Sequence, residues 1–344
     1  MDITELLTYT VAQNASDLHL SCGVAPLVRI DDELRQVPNA VALDEVTIRE
    51  MLYTVLPPEV SAQLGSKMDL DLAISVFGIN SRFRVNVFHQ FRGISAAFRS
   101  IPVRIPSIAE LGLPKIYYKL CDIQNGLILI TGVTGSGKST TLAAMIDHIN
   151  NSQSSHILTI EDPIEYLHEC KKCLIQQREV GKHTASFDSA LRAALREDPD
   201  YILVGEMRDL ETVRLALTAA ETGHLVFATL HTNSAAESID RVVDVFPTHE
   251  KSLIRGMLAN SLRAVICQVL VRKIGGGRMA AQEVMVCTPA ISNMIRENKI
   301  QQLYSAIQTG QEKGMQTLSQ NLQDLVAKKL IDPELYRDLM YDGL

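Results

Sequence analysis

The chain has 344 residues, enough for two domains, and 46% of them are apolar, enough for more than one core. Its formal net charge of −7 argues against duplex nucleic acid as the main partner, which usually meets a basic face. Met1-Asp2-Ile3-Thr4-Glu5 lacks the positive start and apolar core of a signal peptide, and no apolar run approaches the ~18–20 residues that span a bilayer. A soluble, cytoplasmic protein is expected, and six cysteines suit that reducing compartment.

Residues 1–100 combine an opening helix with strand-like runs at Leu27–Ile30, Asp69–Ile74, Arg82–Phe88 and Ile94–Ile101, which predicts a small α+β domain. The last two runs read as a hairpin around His89–Gly93. Symmetric pairing sets Val85 opposite Phe98, Val87 opposite Ala96 and Arg84 opposite Arg99. Facing guanidinium groups repel, which makes sense if an anion lies between or beyond them. A domain ahead of a linker is badly placed to reach its own chain's phosphates. Arg84 and Arg99 are therefore expected to act on a nucleotide at a subunit interface, and supply of arginines in trans implies a closed ring. Residues 101–114, with Pro102, Pro106 and Pro114 and no apolar period, read as the linker.

From Lys115 strands alternate with helices, which implies a mostly parallel sheet covered on both faces. The strand candidates are Leu127–Thr131, His156–Ile160, Tyr201–Gly205 and Leu225–Leu230; after about Thr288 the chain turns helical. Between the first strand and a helix striped with Leu142, Ile146 and Ile149 lies Gly132-Val133-Thr134-Gly135-Ser136-Gly137-Lys138-Ser139, a full G-x-x-x-x-G-K-[ST] match. Glycines let the backbone turn N–H groups toward a phosphate, and the helix that follows adds positive potential. Gly132, Thr134, Gly135, Ser136, Gly137, Lys138, Ser139 and Thr140 are the nucleotide-binding candidates. Lys138 would reach the β- and γ-phosphates of ATP, and the Ser139 hydroxyl would ligate Mg²⁺.

Glu161-Asp162-Pro163-Ile164-Glu165 follows the second strand. It reads as a solvated acidic loop or as the source of the group that orients the attacking water, with Glu165 the choice for that role. In Tyr201-Ile202-Leu203-Val204-Gly205-Glu206 four apolar residues run toward an acid, but Gly205 stands where an aspartate commonly holds the Mg²⁺ shell. Glu206 must then take the metal side alone, directly or through water. His224 and His231 bracket the next strand, and their odd spacing sets them on opposite faces. His231, at the carboxyl end, is the better γ-phosphate sensor. Ser186 caps a helix that carries Arg192 and Arg196 on one flank, open to a phosphate, a neighbouring subunit, or pairing with Glu197 or Asp198. Cys170-Lys171-Lys172-Cys173 lacks a second ligand pair and reads as free thiols rather than a zinc site.

Together with Met1–Leu7 and Ala15-Ser16-Asp17-Leu18-His19-Leu20, the motifs Thr159–Glu165, Val204–Asp209 and Thr229-Leu230-His231-Thr232 resemble the secretion ATPase superfamily, most closely its type IV pilus retraction (twitching motility) branch. The resemblance spans nearly the whole chain. It implies a PAS-like N-terminal domain at 1–100, a linker at 101–114, a RecA-like P-loop ATPase core at 115–288 and a helical C-terminal region at 289–344. It also implies a homo-hexamer at the cytoplasmic face of the inner membrane, working on a platform protein of the pilus machinery, with no nucleic acid. The family's catalytic glutamate falls on Glu165, its second acid on Glu206, its histidine pair on His224 and His231, and its N-terminal arginines on Arg84 and Arg99. One departure is Ser292, which stands where the family's Ala290–Glu297 helix usually carries Arg. The competing readings are a pilus-assembly or export motor, a nucleic-acid translocase, and a subunit that binds ATP without turnover. The first usually carries an extra N-terminal module and often a four-cysteine insert.

Overall fold

Asp2 accepts a hydrogen bond from Glu5 N while Glu5 accepts one from Asp2 N, a capping box that sets the start of α1 (Ile3–Ala12). The computed structural model describes residues 1–30, 33–65, 68–79 and 81–342. It divides into two units, Met1–Arg104 with Pro163–Leu167, and Ile105–Asp162 with His168–Leu344.

In the first unit α1 is followed by β1 (Asp17–Ser21), β2 (Leu27–Ile30), β3 (Glu33–Gln36), α2 (Glu45–Val55), α3 (Pro58–Ser61), β4 (Asp69–Ser75), β5 (Ser81–Gln90) and β6 (Gly93–Pro102). The strands form one antiparallel sheet in the order β3-β2-β1-β6-β5-β4. Leu18, Leu20, Phe83, Val85, Val87 and Phe98 point to one face and are buried with Ile3, Leu6 and Leu7 of α1 and Ile48 and Leu52 of α2. This is the α+β domain expected. The β5–β6 register is also the one read from the sequence: Val85 pairs with Phe98, Val87 with Ala96 and Arg84 with Arg99.

The facing arginines are reconciled within their own sheet. Arg84 Nη2 lies 2.5 Å from Asp71 Oδ2 on β4, and Arg99 Nε lies 3.0 Å from Asp17 Oδ1 on β1. Carboxylates flank the pair on both sides, so, contrary to the expectation from the sequence, the repulsion needs no phosphate to offset it.

The second unit runs α4 (Ile116–Cys121), β7 (Gly126–Thr131), α5 (Lys138–Ser152), β8 (His156–Glu161), β9 (Leu174–Glu179), α6 (Phe187–Ala194), β10 (Tyr201–Val204), α7 (Leu210–Glu221) and β11 (Leu225–Leu230). It continues with α8 (Ala235–Asp244), α9 (Lys251–Ser261), β12 (Leu262–Arg272), β13 (Arg278–Val286), α10 (Pro289–Arg296), α11 (Leu303–Thr309), α12 (Leu318–Ala327) and α13 (Pro333–Arg337). Its sheet has the order β13-β12-β7-β11-β10-β8-β9, parallel except for β13 against β12. Alternate residues of β7 feed two cores: Leu127 and Leu129 pack with α6 to α9, Ile128 and Ile130 with α4 and α5. This is the RecA-like layering expected.

The domain bounds read from sequence shift in three places. Residues 101–114 are not simply a tether, because Ile101 and Pro102 complete β6, while Ile108 and Leu113 are buried in the second unit's core. Pro163–Leu167, expected in the ATPase core, groups with the first unit. The helices after Thr288 form no separate unit: Ile291, Ile295, Leu303 and Ile307 join the core that holds Val226 and Val265. Among the described residues no helix is long and apolar enough to cross a membrane.

His168 gives the second unit a pH signature. Burial lowers its pKa from 6.5 to about 4, against the Asp147 charge, and its Nδ1 is buried with no hydrogen-bond partner among the described residues. The folded state thus refuses a proton that the unfolded chain accepts, so stability falls as pH drops below the unfolded value. Between pH 7 and 4 the loss is on the order of 3 kcal/mol. Chemical denaturation across that range should show a flatter slope in His168→Gln; an identical slope would refute this assignment.

Candidate functional site

The phosphate loop joins β7 to α5, and its glycines are there for backbone reasons. Gly132 has φ +140°, and a Cβ on it would lie 2.3 Å from Gln268 O and 2.6 Å from Ser136 Oγ. Gly137, at φ +87°, is the left-handed residue that opens α5. Val133, Thr134 and Gly135 form the exposed crest, while Ser139 and Thr140 sit half-buried on the first turn of the helix. Lys138 Nζ folds over the loop, donating to Gly132 O (2.7 Å) and Val133 O (3.0 Å). Ser136 is buried; its carbonyl accepts from Gln268 Nε2 at 2.7 Å, and its hydroxyl has no hydrogen-bond partner among the described residues. Gln268, on β12, had no signal in the sequence reading beyond being the one amide in an apolar run.

Glu206 and His231 meet because β10 and β11 are parallel neighbours whose carboxyl ends share an edge. His231 Nε2 lies 3.3 Å from Glu206 Oε1, and Arg208 Nη2 lies 2.6 Å from Glu206 Oε2. Burial pushes the Glu206 carboxyl upward, but the Arg208 hydrogen bond and charge, with His231, outweigh it and hold the group below its usual range. A charged carboxylate is thus kept at the strand end. Thr229 Oγ1 donates to Gly205 O, and Met207 N donates to Thr229 O (3.1 Å), which ties the two strand ends together.

Gly205 has its own reason. A Cβ there would stand 3.1 Å from Ile160 O and 3.3 Å from Glu161 Cα, so the aspartate of the commoner motif would need the β8 backbone to give by a few tenths of an ångström. Glu161 is also engaged, accepting from Thr159 Oγ1 (2.7 Å) and Gln177 Nε2 (3.2 Å).

The remaining candidates are distributed. His224 lies at the opposite end of the six-residue β11, roughly 20 Å from His231 along the strand, with Nδ1 3.0 Å from Ala219 O; it is a strand-start residue in this unit. Glu165 is half-buried in the segment that groups with the first unit, where Arg84 and Arg99 also lie. Arg192 pairs with Glu211 of α7 rather than with Glu197 or Asp198, and Glu197 takes Arg178 instead (3.1 Å). Cys170 and Cys173 are free, and the described residues contain no metal-binding cluster of His, Cys, Asp and Glu. Ser292 lies on α10 with Oγ 3.6 Å from Cys287 Sγ.

Residues 1–276 match the family model for type II/IV secretion system proteins. The chain belongs to that family. It is 56% identical over 338 residues to the type IV pilus retraction ATPase PilT of Pseudomonas aeruginosa, covering 98% of each chain. It is 49% identical over 336 residues to a twitching motility protein of Neisseria gonorrhoeae, covering 97% of this chain and 89% of the relative. A crystal structure of the pilus retraction motor PilT with bound ADP superposes with a TM-score of 0.90 at 47% identity, covering 100% of this chain and 98% of that one. Family membership agrees with the resemblance drawn from the motifs.

Restoring the common acid at 205 tests the packing argument. Gly205→Asp should lower stability by roughly 1–3 kcal/mol through overpacking against β8, read as a lower melting temperature; a variant as stable as the parent would contradict it.

Proposed function

We propose that this chain is the motor of type IV pilus retraction: a hexameric ring that hydrolyses ATP at the cytoplasmic face of the inner membrane to drive pilus disassembly and twitching motility. It is an ATPase of the secretion family. The observation that carries the reading is the end-to-end likeness to PilT, with a complete phosphate loop and a charged Glu206 beside His231. A platform protein of the pilus machinery is the proposed partner.

In this reading the loop amides and the α5 N-terminus hold the phosphates, and Lys138 leaves its carbonyl partners to bind the β- and γ-phosphoryl oxygens. Glu165 orients the attacking water, and phosphate and ADP leave. His231, held to Glu206, reports whether the terminal phosphoryl group is present. Arg84 and Arg99 of the neighbouring protomer offset the charge of the transition state, exchanging Asp71 and Asp17 for phosphoryl oxygens. The Ser139 hydroxyl and the Glu206 carboxylate are oxygen donors, the chemistry that Mg²⁺ selects, and would hold it directly or through water. When bound, that ion neutralises charge on the phosphates. Gripping and releasing the terminal phosphate across an interface opens and closes it, which supplies the mechanical step.

Deletion in a piliated host should leave excess surface pili and no twitching; bald cells would point to assembly instead. On purified protein, Arg84→Ala and Arg99→Ala should each abolish phosphate release while ADP still binds, and normal turnover in both would refute the trans role. Glu206→Gln should cut turnover by at least about a hundredfold; a change smaller than tenfold would remove Glu206 from the chemistry.

A further inference from the structure

We propose that Gln268 is a positioning residue for the nucleotide, a buried amide clamp that sets the shape of the phosphate loop from the neighbouring strand. This deepens the reading of that loop as the nucleotide site and rests on it. Gln268 is 1% exposed, in the run Val265-Ile266-Cys267-Gln268-Val269-Leu270. A Met or Leu would fill such a place without the cost of burying an amide. Both ends of this amide are used. Nε2 donates to Ser136 O at 2.7 Å, and Oε1 accepts from Thr141 Oγ1 at 3.0 Å. One partner lies in the loop and the other in the first turns of α5, so the side chain spans the bend at Gly137 and Lys138.

Register explains why this residue reaches. β12 runs parallel to β7 with Cys267 level with Thr131, the last residue before the loop, and Thr131 Oγ1 donates to Cys267 Sγ at 2.9 Å. Gln268 is the next residue on, beside Gly132. Its carbonyl oxygen is the atom a Cβ at Gly132 would strike, and its Nε2 would lie 3.0 Å from a Cβ at Gly137. Two of the loop's glycines thus border the same glutamine.

The consequence for ligand binding follows from peptide geometry. In a trans peptide the carbonyl of one residue and the N–H of the next point opposite ways. Fixing Ser136 C=O toward Gln268 therefore turns the Gly137 N–H away from β12, toward the concave side of the loop where a phosphate is held. Glycine at 137 makes that peptide plane easy to flip, and the clamp removes the alternative. Ser136 O can only accept, so it takes the amide nitrogen, and the Thr141 hydroxyl donates to the amide oxygen that is left. The loop grips phosphates before and during hydrolysis alike, so loss of the clamp should appear in affinity rather than in the chemical step.

The test uses the full-length protein, with ADP titrated calorimetrically and phosphate release followed across ATP concentrations. Gln268→Met, of similar length but without hydrogen bonds, should weaken ADP about tenfold and raise KM for ATP by a similar factor, with kcat within about threefold. Thr141→Val should shift affinity in the same direction by a smaller factor, and it carries the test if Gln268→Met does not fold. Unchanged ADP affinity in the folded variants would overturn the proposal. So would a fall in kcat at unchanged KM that tracks lost folded protein, the mark of a packing role alone. ADP binding needs no turnover, so a parent protein that bound ADP without hydrolysing ATP would count against the ATPase reading and leave this test standing.

Discussion

Parallel pairing of β12, β7, β11 and β10 is the constraint from which the second unit's chemistry follows. Strands that run the same way end at the same edge, so the segments that follow β7, β10 and β11 are gathered there, and Gln268 within β12 lies level with the start of the phosphate loop. β7 delivers the phosphate loop, β11 delivers His231, β10 delivers Glu206, and β12 delivers Gln268. The registers are specific: Leu230 is level with Thr131, and Val204 with Ala228. Slipping one strand by a residue would turn its side chains to the other face and separate Glu206 from His231. Hydrogen bonds from Thr229 to Gly205 and from Thr131 to Cys267 tie neighbouring strands together at this edge.

The first unit pairs its charges on one face of the sheet and packs its core on the other. Its sheet buries one face under α1 and α2 and on the other sets two adjacent arginines between flanking carboxylates. Arg84 and Arg99 are neighbours by register, and Asp71 and Asp17 discharge them within the fold. A phosphate that recruits these guanidinium groups must win them from carboxylates, so their response depends on a strong, close anion. Arg99, 61% exposed, can turn with less rearrangement than Arg84, 37% exposed.

Where one face of an element is buried, the sequence was readable. Alternation in β5 and β6 located the hairpin and its register, and the continuous apolar runs of β7, β8, β10 and β11 located the parallel strands. The failures have equally physical causes. β3 has no buried residue, so it shows no alternation. β12 starts at Leu262, immediately after α9 ends at Ser261, with no turn residue to mark the change, and it is apolar on both faces. Missing β12 hid Gln268. The anions beside Arg84 and Arg99 were missed because β1 was not recognised as a strand, and because Asp71 reaches Arg84 from the diagonal position opposite Asn86. Contacts across strands need the strand order, which periodicity does not carry. The phosphate loop was legible for the opposite reason: its spacing is local, and every glycine in it answers to its own backbone.

Joint custody of one nucleotide by two protomers is the central claim, and mixed rings test it most directly. Lys138→Ala and Arg99→Ala proteins, each inactive alone, would be combined with different affinity tags, and phosphate release measured on the doubly purified assemblies. An interface formed by the intact loop of one variant and the intact arginine of the other is complete, so activity should return in the mixture. Doubly tagged rings that form and yet release no phosphate would contradict the account.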